Sequence, residues 1–184
     1  VSKNIEVKKL DSGDNNFYEL IKIVSKFKKQ LIISLGLINE NEILKLIKYV
    51  KAIGYLKKTS FLYCVSSYPV DKKDINLLSI KFIKEKFKVN TGYSDHSIGI
   101  DAAVNSYLLG ADIIEKHFTL NHNFSKFRDH KLSANPAEMR LLVRKINDLK
   151  LMLGYYNKKI TKNELMNLKS MRRSVYSKIT IKKG

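Results

Sequence analysis

The chain has 184 residues, of which 44% are hydrophobic, enough for one ordinary domain with a sizeable core. Two prolines and eight glycines exclude a collagen-like or low-complexity polymer, and no apolar run approaches the roughly 18 residues that span a bilayer. The formal net charge of +18 suggests a nucleic-acid partner, but the lysines are spread over every segment with few arginines. We therefore expect anionic ligands, with no nucleic acid and no membrane as partner.

The first residues, VSKNIEVKKL, contain no apolar signal segment and no initiating methionine. They match neither a secretory signal nor a natural start, so we expect a fragment of a longer protein. The single cysteine, Cys64, lies inside the apolar run FLYCV, where a buried thiol acts as a small hydrophobe. This cysteine usage suits a reducing, cytoplasmic location.

Five short runs of apolar and β-branched residues predict strands. They are IEVKKLDS (5–12), LIISLG (31–36), FLYCVSSY (61–68), VNTGYSDH (89–96) and DIIEKHFT (112–119). The first run is the least apolar.

Amphipathic patterns between and after these runs predict helices. They cover residues 17–27, 39–54, 75–87, 100–110 and 135–153. Asn39 and Asn135 are predicted N-caps, each followed three residues later by glutamate. A shorter helix is predicted after Thr161, and RRSVYSKITIKKG at the end of the chain is predicted to start a further strand.

The alternation of strands and helices predicts an α/β fold with a parallel sheet, its strands about 20 to 30 residues apart. Five such units fit either a whole open, doubly wound domain or most of an eight-stranded barrel, and periodicity does not choose between them. No dinucleotide fingerprint, Walker loop or zinc-type cysteine pair is present.

Polar side chains cluster at the carboxyl ends of the predicted strands, where parallel α/β folds bind ligands. They are Ser12, Asp14, Ser34, Ser66, Tyr68, Ser94, His96, Glu115 and His117. On a two-residue period, His96 and His117 can face one pocket and hold a divalent cation with open positions. The alternative is that each histidine caps its own strand, and spacing leaves both interpretations open.

The serines, with nearby lysines, suit a phosphate or carboxylate ligand, because they supply hydrogen-bond donors and positive charge. Lys9 is one candidate for that charge, although its parity differs from Ser12 and requires a bulge or a long reach; Lys131 is a weaker one. Asp129 and His130 follow the last strand on a loop expected over the pocket mouth.

Six sequence blocks resemble, in order, the signatures of the N-acetylneuraminate (sialic acid) synthase family of nonulosonic acid synthases. They are LDSGDNN, LIISLG, YCVSSYPVDKKDINLLSI, GYSDHSIGIDAA, GADIIEKHFTL and RDHKLSANPAE. The resemblance implies a (β/α)8 TIM barrel of which residues 1–154 supply about strands four to eight. The change of pattern after Gly154 predicts a linker with a short helix over 155–170, and the resemblance implies the start of an antifreeze-like (SAF) domain over 171–184.

In this family, phosphoenolpyruvate condenses with an open-chain N-acetylmannosamine-type sugar, and phosphate is released. The resemblance implies a divalent metal, Mn²⁺ with Mg²⁺ or Co²⁺ as alternatives, held by His96 and His117. It places phosphoenolpyruvate at Lys9, Ser12, Ser34, Ser66 and Ser94, the sugar at Tyr68 and Asp129, a catalytic carboxylate at Asp14, and Glu115 behind the second histidine. It further implies a homodimeric full-length protein.

One departure from the family pattern concerns the sugar. The GPDH loop of the family is FRDH here, with Phe127 and Arg128 in place of Gly-Pro, so the identity of the sugar stays open. We expect the fragment alone to be inactive. The alternatives are another metal-dependent TIM-barrel aldolase, which would release no phosphate, and a basic nucleic-acid-binding protein without enzymatic activity.

Overall fold

The computed structural model describes residues 7–125 and 129–184. Phe127 and Arg128, which replace the Gly-Pro of the family pattern, lie outside the described residues. Five parallel strands form one sheet in chain order. They are β1 (Val7–Leu10), β2 (Gln30–Ser34), β3 (Thr59–Tyr63), β4 (Asn90–Asp95) and β5 (Ile114–Lys116).

Helices lie between the strands and after the last one, as the sequence pattern predicts. They are α1 (Tyr18–Ser25), α2 (Glu40–Ala52), α3 (Leu78–Phe87), α4 (Asp101–Leu108), α5 (Asp129–Leu132), α6 (Pro136–Leu153) and α7 (Lys162–Met171), with short 3₁₀ turns at Leu56–Lys58 and Lys72–Asp74. The chain divides into two compact units, Val1–Met152 and Leu153–Gly184. No helix in the described ranges is long and apolar enough to cross a membrane.

The predicted helix caps are present. The Asn39 side chain accepts a hydrogen bond from the backbone N–H of Glu42, whose carboxylate accepts one from Asn39 N–H, which completes a capping box. Asn135 and Glu138 make the same reciprocal pair at the start of α6. These bonds satisfy backbone donors that have no partner inside the helix, and they fix where the helices begin.

The main core lies between the outer face of the sheet and the helices. Leu31, Ile33 and Phe61 from β2 and β3 are fully buried against Leu46 and Val50 of α2. Every second residue of these strands faces the helices, and most of these residues are apolar. The residues between them face the inner side of the sheet, where the polar strand-end residues lie.

The sheet is curled into a half-barrel. In a flat sheet, four strand spacings of about 4.8 Å would separate β1 from β5 by roughly 19 Å. Instead, Lys9 Nζ of β1 lies 3.0 Å from Glu115 Oε1 of β5. The inner faces of the first and last strands therefore meet across one shared space.

Two features differ from the sequence predictions. Each strand is shorter than predicted, because its ladder pairing stops before the predicted carboxyl end. Residues 172–184 contain no strand, although RRSVYSKITIKKG predicts one. A strand needs a hydrogen-bonded partner, and among the described residues none pairs with this segment.

Candidate active site

A cavity of about 840 Å³ opens at the carboxyl ends of the five strands. All of the predicted site residues except Asp14 line it, namely Lys9, Ser12, Ser34, Ser66, Tyr68, Ser94, His96, Glu115, His117 and Asp129. Asp14 lies two residues beyond Ser12 on the turn after β1, where its N–H donates to the Asp11 carbonyl. The structure thus gathers residues from five separate strand ends into one concave, polar surface.

The two histidines belong to this one cavity. The ring centroids of His96 and His117 are 5.5 Å apart, and the Tyr68 ring lies 4.2 Å from the first and 5.9 Å from the second. Each histidine shares the inner face with the residue two positions earlier, Ser94 or Glu115, as the two-residue period predicts.

The hydrogen bonds of His96 leave one ring nitrogen suited to a metal. Nδ1–H donates to the Val65 carbonyl at 2.7 Å, which fixes the tautomer with the lone pair on Nε2. Ser94 Oγ lies 3.4 Å from Nε2, but its hydroxyl donates a hydrogen bond to Glu115 Oε1 at 2.6 Å. The pKa of His96 is lowered, chiefly because the side chain is buried. The hydrogen bond to Val65 opposes this effect, and the neighbouring His117 adds to it.

These observations fit a neutral imidazole ligand at His96, with His117 beside it. His117 Nδ1 lies 4.0 Å from Asp129 Oδ2. Within the described ranges, no group of three or more His, Cys, Asp or Glu is placed to hold a metal ion. A cation held by the two rings would therefore keep positions for water or substrate oxygens.

The opposite wall carries the hydroxyl groups. Ser66 Oγ is buried and has no hydrogen-bond partner among the described residues. Ser12 Oγ lies 3.3 Å from the Cys64 thiol, which is itself buried, and burial raises the pKa of that thiol. A buried hydroxyl without a partner is costly unless a ligand supplies one, so this wall is suited to an acceptor-rich group such as phosphate or carboxylate.

Gly36 and Asn15 shape that wall, and the sequence interpretation missed both. A Cβ on Gly36 would lie 2.3 Å from Ser66 Oγ and 2.5 Å from Ser12 Oγ, so only glycine leaves room for both hydroxyls. The buried Asn15 amide donates to the carbonyls of Ser34 and Gly36 at 3.1 and 2.9 Å. The motif SGDNN contains Asn15, but periodicity does not reveal a loop-to-loop bond.

Lys9 points into the cavity directly from β1, so no bulge or long reach is needed to place it. The chain leaves the strand after Leu10, and Ser12 reaches the same cavity from the turn. Lys9 Nζ contacts the carboxylates of Asp11 and Glu115. Burial alone would lower the pKa of Lys9, but the hydrogen bonds and charges of Asp11 and Glu115 together raise it. The ammonium is therefore held charged beside the hydroxyls.

The loop after β5 closes the histidine side. Thr119 Oγ1 lies 2.9 Å from His130 Nδ1, and His122 Nε2 contacts Glu138 Oε2 and Asn135 Nδ2 at 3.1 and 3.2 Å. Lys131, the weaker predicted cation, is exposed on α5 and does not line the cavity. Asp129 and His130, which the sequence predicts to lie on a loop, instead begin the short helix α5, and His130 contacts the loop after β5 through Thr119.

Comparison with known proteins gives one consistent result. The model of the NeuB family matches residues 1–158. The chain is 34% identical to the N,N'-diacetyllegionaminic acid synthase of Campylobacter jejuni, over 98% of this chain and 54% of the relative. It is also 34% identical to a pseudaminic acid synthase of C. jejuni, over 97% of this chain and 50% of the relative.

A solved structure shares the fold. The N-acetylneuraminic acid synthetase of Leptospira borgpetersenii, solved in complex with citrate, superposes with a TM-score of 0.80 at 30% identity, covering 93% of this chain and 60% of that one. The chain spans about half the length of the curated relatives it matches.

Proposed function

The chain belongs to the NeuB family, and we propose that its cavity serves a nonulosonic acid synthase that condenses phosphoenolpyruvate with an N-acetylmannosamine-type sugar. The observation that carries this proposal is the meeting of His96 and His117 with a wall of serine hydroxyls and Lys9 in one cavity. Sugar-acid synthases named for legionaminic and pseudaminic acid are among its relatives. The product is accordingly a sialic, legionaminic or pseudaminic type of acid.

The serine wall is the proposed phosphoenolpyruvate site. Lys9 supplies a charged donor, and Ser12, Ser34 and Ser66 supply neutral ones around the gap that Gly36 leaves. The phosphate and carboxylate of phosphoenolpyruvate together need several such donors. Ser94, which bridges Glu115 and the His96 ring, would orient the same substrate toward the histidines.

His96 and His117 would hold the divalent metal, with Mn²⁺ as the first candidate and Mg²⁺ or Co²⁺ as alternatives. Bound there, the cation supplies Lewis-acid polarisation of the sugar aldehyde. The neutral Nε2 of His96 suits this role, because the Val65 carbonyl holds the proton on the other nitrogen. Glu115 would support the site by accepting the hydrogen bond from the Ser94 hydroxyl. The hydroxyl then does not donate to His96 Nε2, whose lone pair stays available to the metal.

Tyr68 and Asp129 would bind the sugar on the histidine side of the cavity. In the overall reaction, C3 of phosphoenolpyruvate bonds to the aldehyde carbon, water adds at C2, and the C2–O bond to phosphate breaks. Asp14 is the proposed catalytic carboxylate, and Asp11, which lines the cavity beside Lys9, is the acidic neighbour to compare with it. A cytoplasmic homodimer is part of the same proposal.

The test uses the full-length protein with phosphoenolpyruvate, N-acetylated mannosamine-type sugars and Mn²⁺, and it measures phosphate release. We expect His96→Ala and His117→Ala each to lower kcat at least about a hundredfold, because either change removes a ligand. The control is His122→Ala, which removes an imidazole that does not line the cavity. It is read on kcat at saturating sugar, because His122 contacts Asn135 and Glu138 at the start of α6 and its loss can raise the KM for the sugar. Full activity in either cavity variant would contradict the metal assignment, and aldol product without phosphate release would favour an aldolase.

A further inference from the structure

A buried ion pair joins β4 and β5 on the side of the sheet away from the cavity. Lys116 Nζ lies 2.9 Å from Asp95 Oδ2, and the two side chains are 1% and 0% exposed. Asp95 directly precedes His96, and Lys116 directly precedes His117. Because successive side chains point to opposite faces of a strand, this pair lies behind the two histidines.

Lys116 holds the chain on both sides of His96. Its ammonium contacts the Asp95 carboxylate and also donates to the Ser97 carbonyl. The Ser97 N–H and the Tyr93 hydroxyl both donate to Asp95 Oδ1, at 2.8 and 3.2 Å. The two residues that flank His96 are therefore both bound by the residue next to His117.

The sheet itself does not extend this far. The ladder between β4 and β5 ends at the Asp95 and Lys116 register, one residue before each histidine. Beyond it, the His96 carbonyl accepts a bond from Val70 N–H, and the His117 carbonyl accepts one from Ala134 N–H. These bonds tie each histidine to a different segment, so they leave the spacing between the two rings to another contact.

We propose that the Asp95 and Lys116 pair, with the Ser97 carbonyl, is a positioning clamp that sets the separation of His96 and His117 for metal binding. This inference rests on the proposed function, in which the two histidines are the ligands. Metal sites need their ligands held within about 0.5 Å of the productive geometry by the residues behind them. A buried ion pair is weak evidence for stability but a known means of fixing register.

The test measures metal affinity in the full-length protein, by Mn²⁺ titration followed by electron paramagnetic resonance, and ligand geometry, by the visible spectrum of bound Co²⁺. The variant is the double substitution Asp95→Asn with Lys116→Met, because either change alone would leave a buried charge without its partner. In the double variant, the amide oxygen that replaces the Asp95 carboxylate can still accept the bonds from Ser97 and Tyr93.

The control is Lys84→Met. Lys84 also contacts an aspartate carboxylate and a backbone carbonyl, Asp112 Oδ2 at 2.9 Å and Gly110 O at 2.7 Å, but it does so before β5 begins, away from the histidines, and in a more exposed pair. We expect the double variant to keep its fold by circular dichroism and to bind Mn²⁺ about ten- to a hundredfold more weakly, with an altered Co²⁺ spectrum. Lys84→Met should leave both readouts unchanged.

Wild-type Mn²⁺ affinity and an unchanged Co²⁺ spectrum in the double variant would overturn the clamp while leaving the proposed function intact. An equal loss of affinity in Lys84→Met would also overturn it, because the effect would then follow from any lost ion pair. Failure of the unmodified protein to bind Mn²⁺ or Co²⁺, or unchanged affinity in His96→Ala, would overturn the metal assignment and the clamp with it.

Discussion

Gly36 is the residue at which one added methyl group should weaken substrate binding. A Cβ there would displace the hydroxyls of Ser66 and Ser12. We therefore predict that Gly36→Ala raises the KM for phosphoenolpyruvate about tenfold, equivalent to about 1.4 kcal/mol of lost binding. Steady-state kinetics of the full-length protein measure it.

Gly13→Ala is the control for that substitution. Gly13 lines the same cavity, but an added Cβ would meet no atom within 4 Å. We expect it to change the KM much less. If Gly36→Ala and Gly13→Ala had the same KM for phosphoenolpyruvate, the Ser12 and Ser66 hydroxyls would not be part of the substrate site.

For individual residues, the sequence predicted the side chains that line the cavity more successfully than the side chains that support them from behind. Strand-end position and parity allowed His96 and His117 to share one pocket with the serines without requiring it, and the structure places them in one cavity. Asn15 and Lys116 were missed, because their partners lie in neighbouring strands or loops, and their roles depend on sheet register, which periodicity along one strand does not contain.

At the scale of elements, the cap of α6 contacts the loop after β5. Asn135 caps the helix through its Oδ1, and its Nδ2 contacts His122 Nε2 at 3.2 Å. Asn39 caps α2 in the same way and has no such contact to the loop. The two helices therefore offer a matched pair of substitutions.

We predict that Asn135→Ala and Asn39→Ala each lower the free energy of unfolding by about 1 kcal/mol, the usual effect of losing a side-chain cap. Urea titration of the full-length protein measures this. Only Asn135→Ala should also raise the KM for the sugar, since it frees His122 from one of its contacts. An equal change in that KM for both variants would show that the loop does not depend on this cap.

Helices were predicted more accurately than strand ends for a physical reason. A helix begins at a cap whose bonds lie within four residues, so Asn39, Thr161 and their glutamates are visible in the sequence. A strand ends where its neighbour stops pairing. The predicted runs at 61–68 and 112–119 continue beyond Tyr63 and Lys116, although their pairing ends there.

On the scale of the whole molecule, the half-barrel has two unpaired sides within the described residues. β1 and β5 each pair on one side only. Large apolar side chains are exposed near both, including Val7 and Phe27 at one side and Phe118 and Val143 at the other. Such edges favour association with other chains.

We therefore predict that residues 1–184, purified alone, release no phosphate from phosphoenolpyruvate and self-associate. Size-exclusion chromatography with light scattering and a phosphate assay test both statements. A monodisperse monomer that turns over at the rate of the full-length protein would contradict them.

The ion pair between Lys9 and Glu115 has a consequence for the order of folding. Each strand after β1 pairs with the one before it in the chain, so it can add to a sheet edge that has already formed, and little loop entropy is lost at any step. The exception is the contact across the curl, which joins residues 9 and 115. It can form only once β1 and β5 face each other across the curl, so we expect the cavity to assemble late in folding.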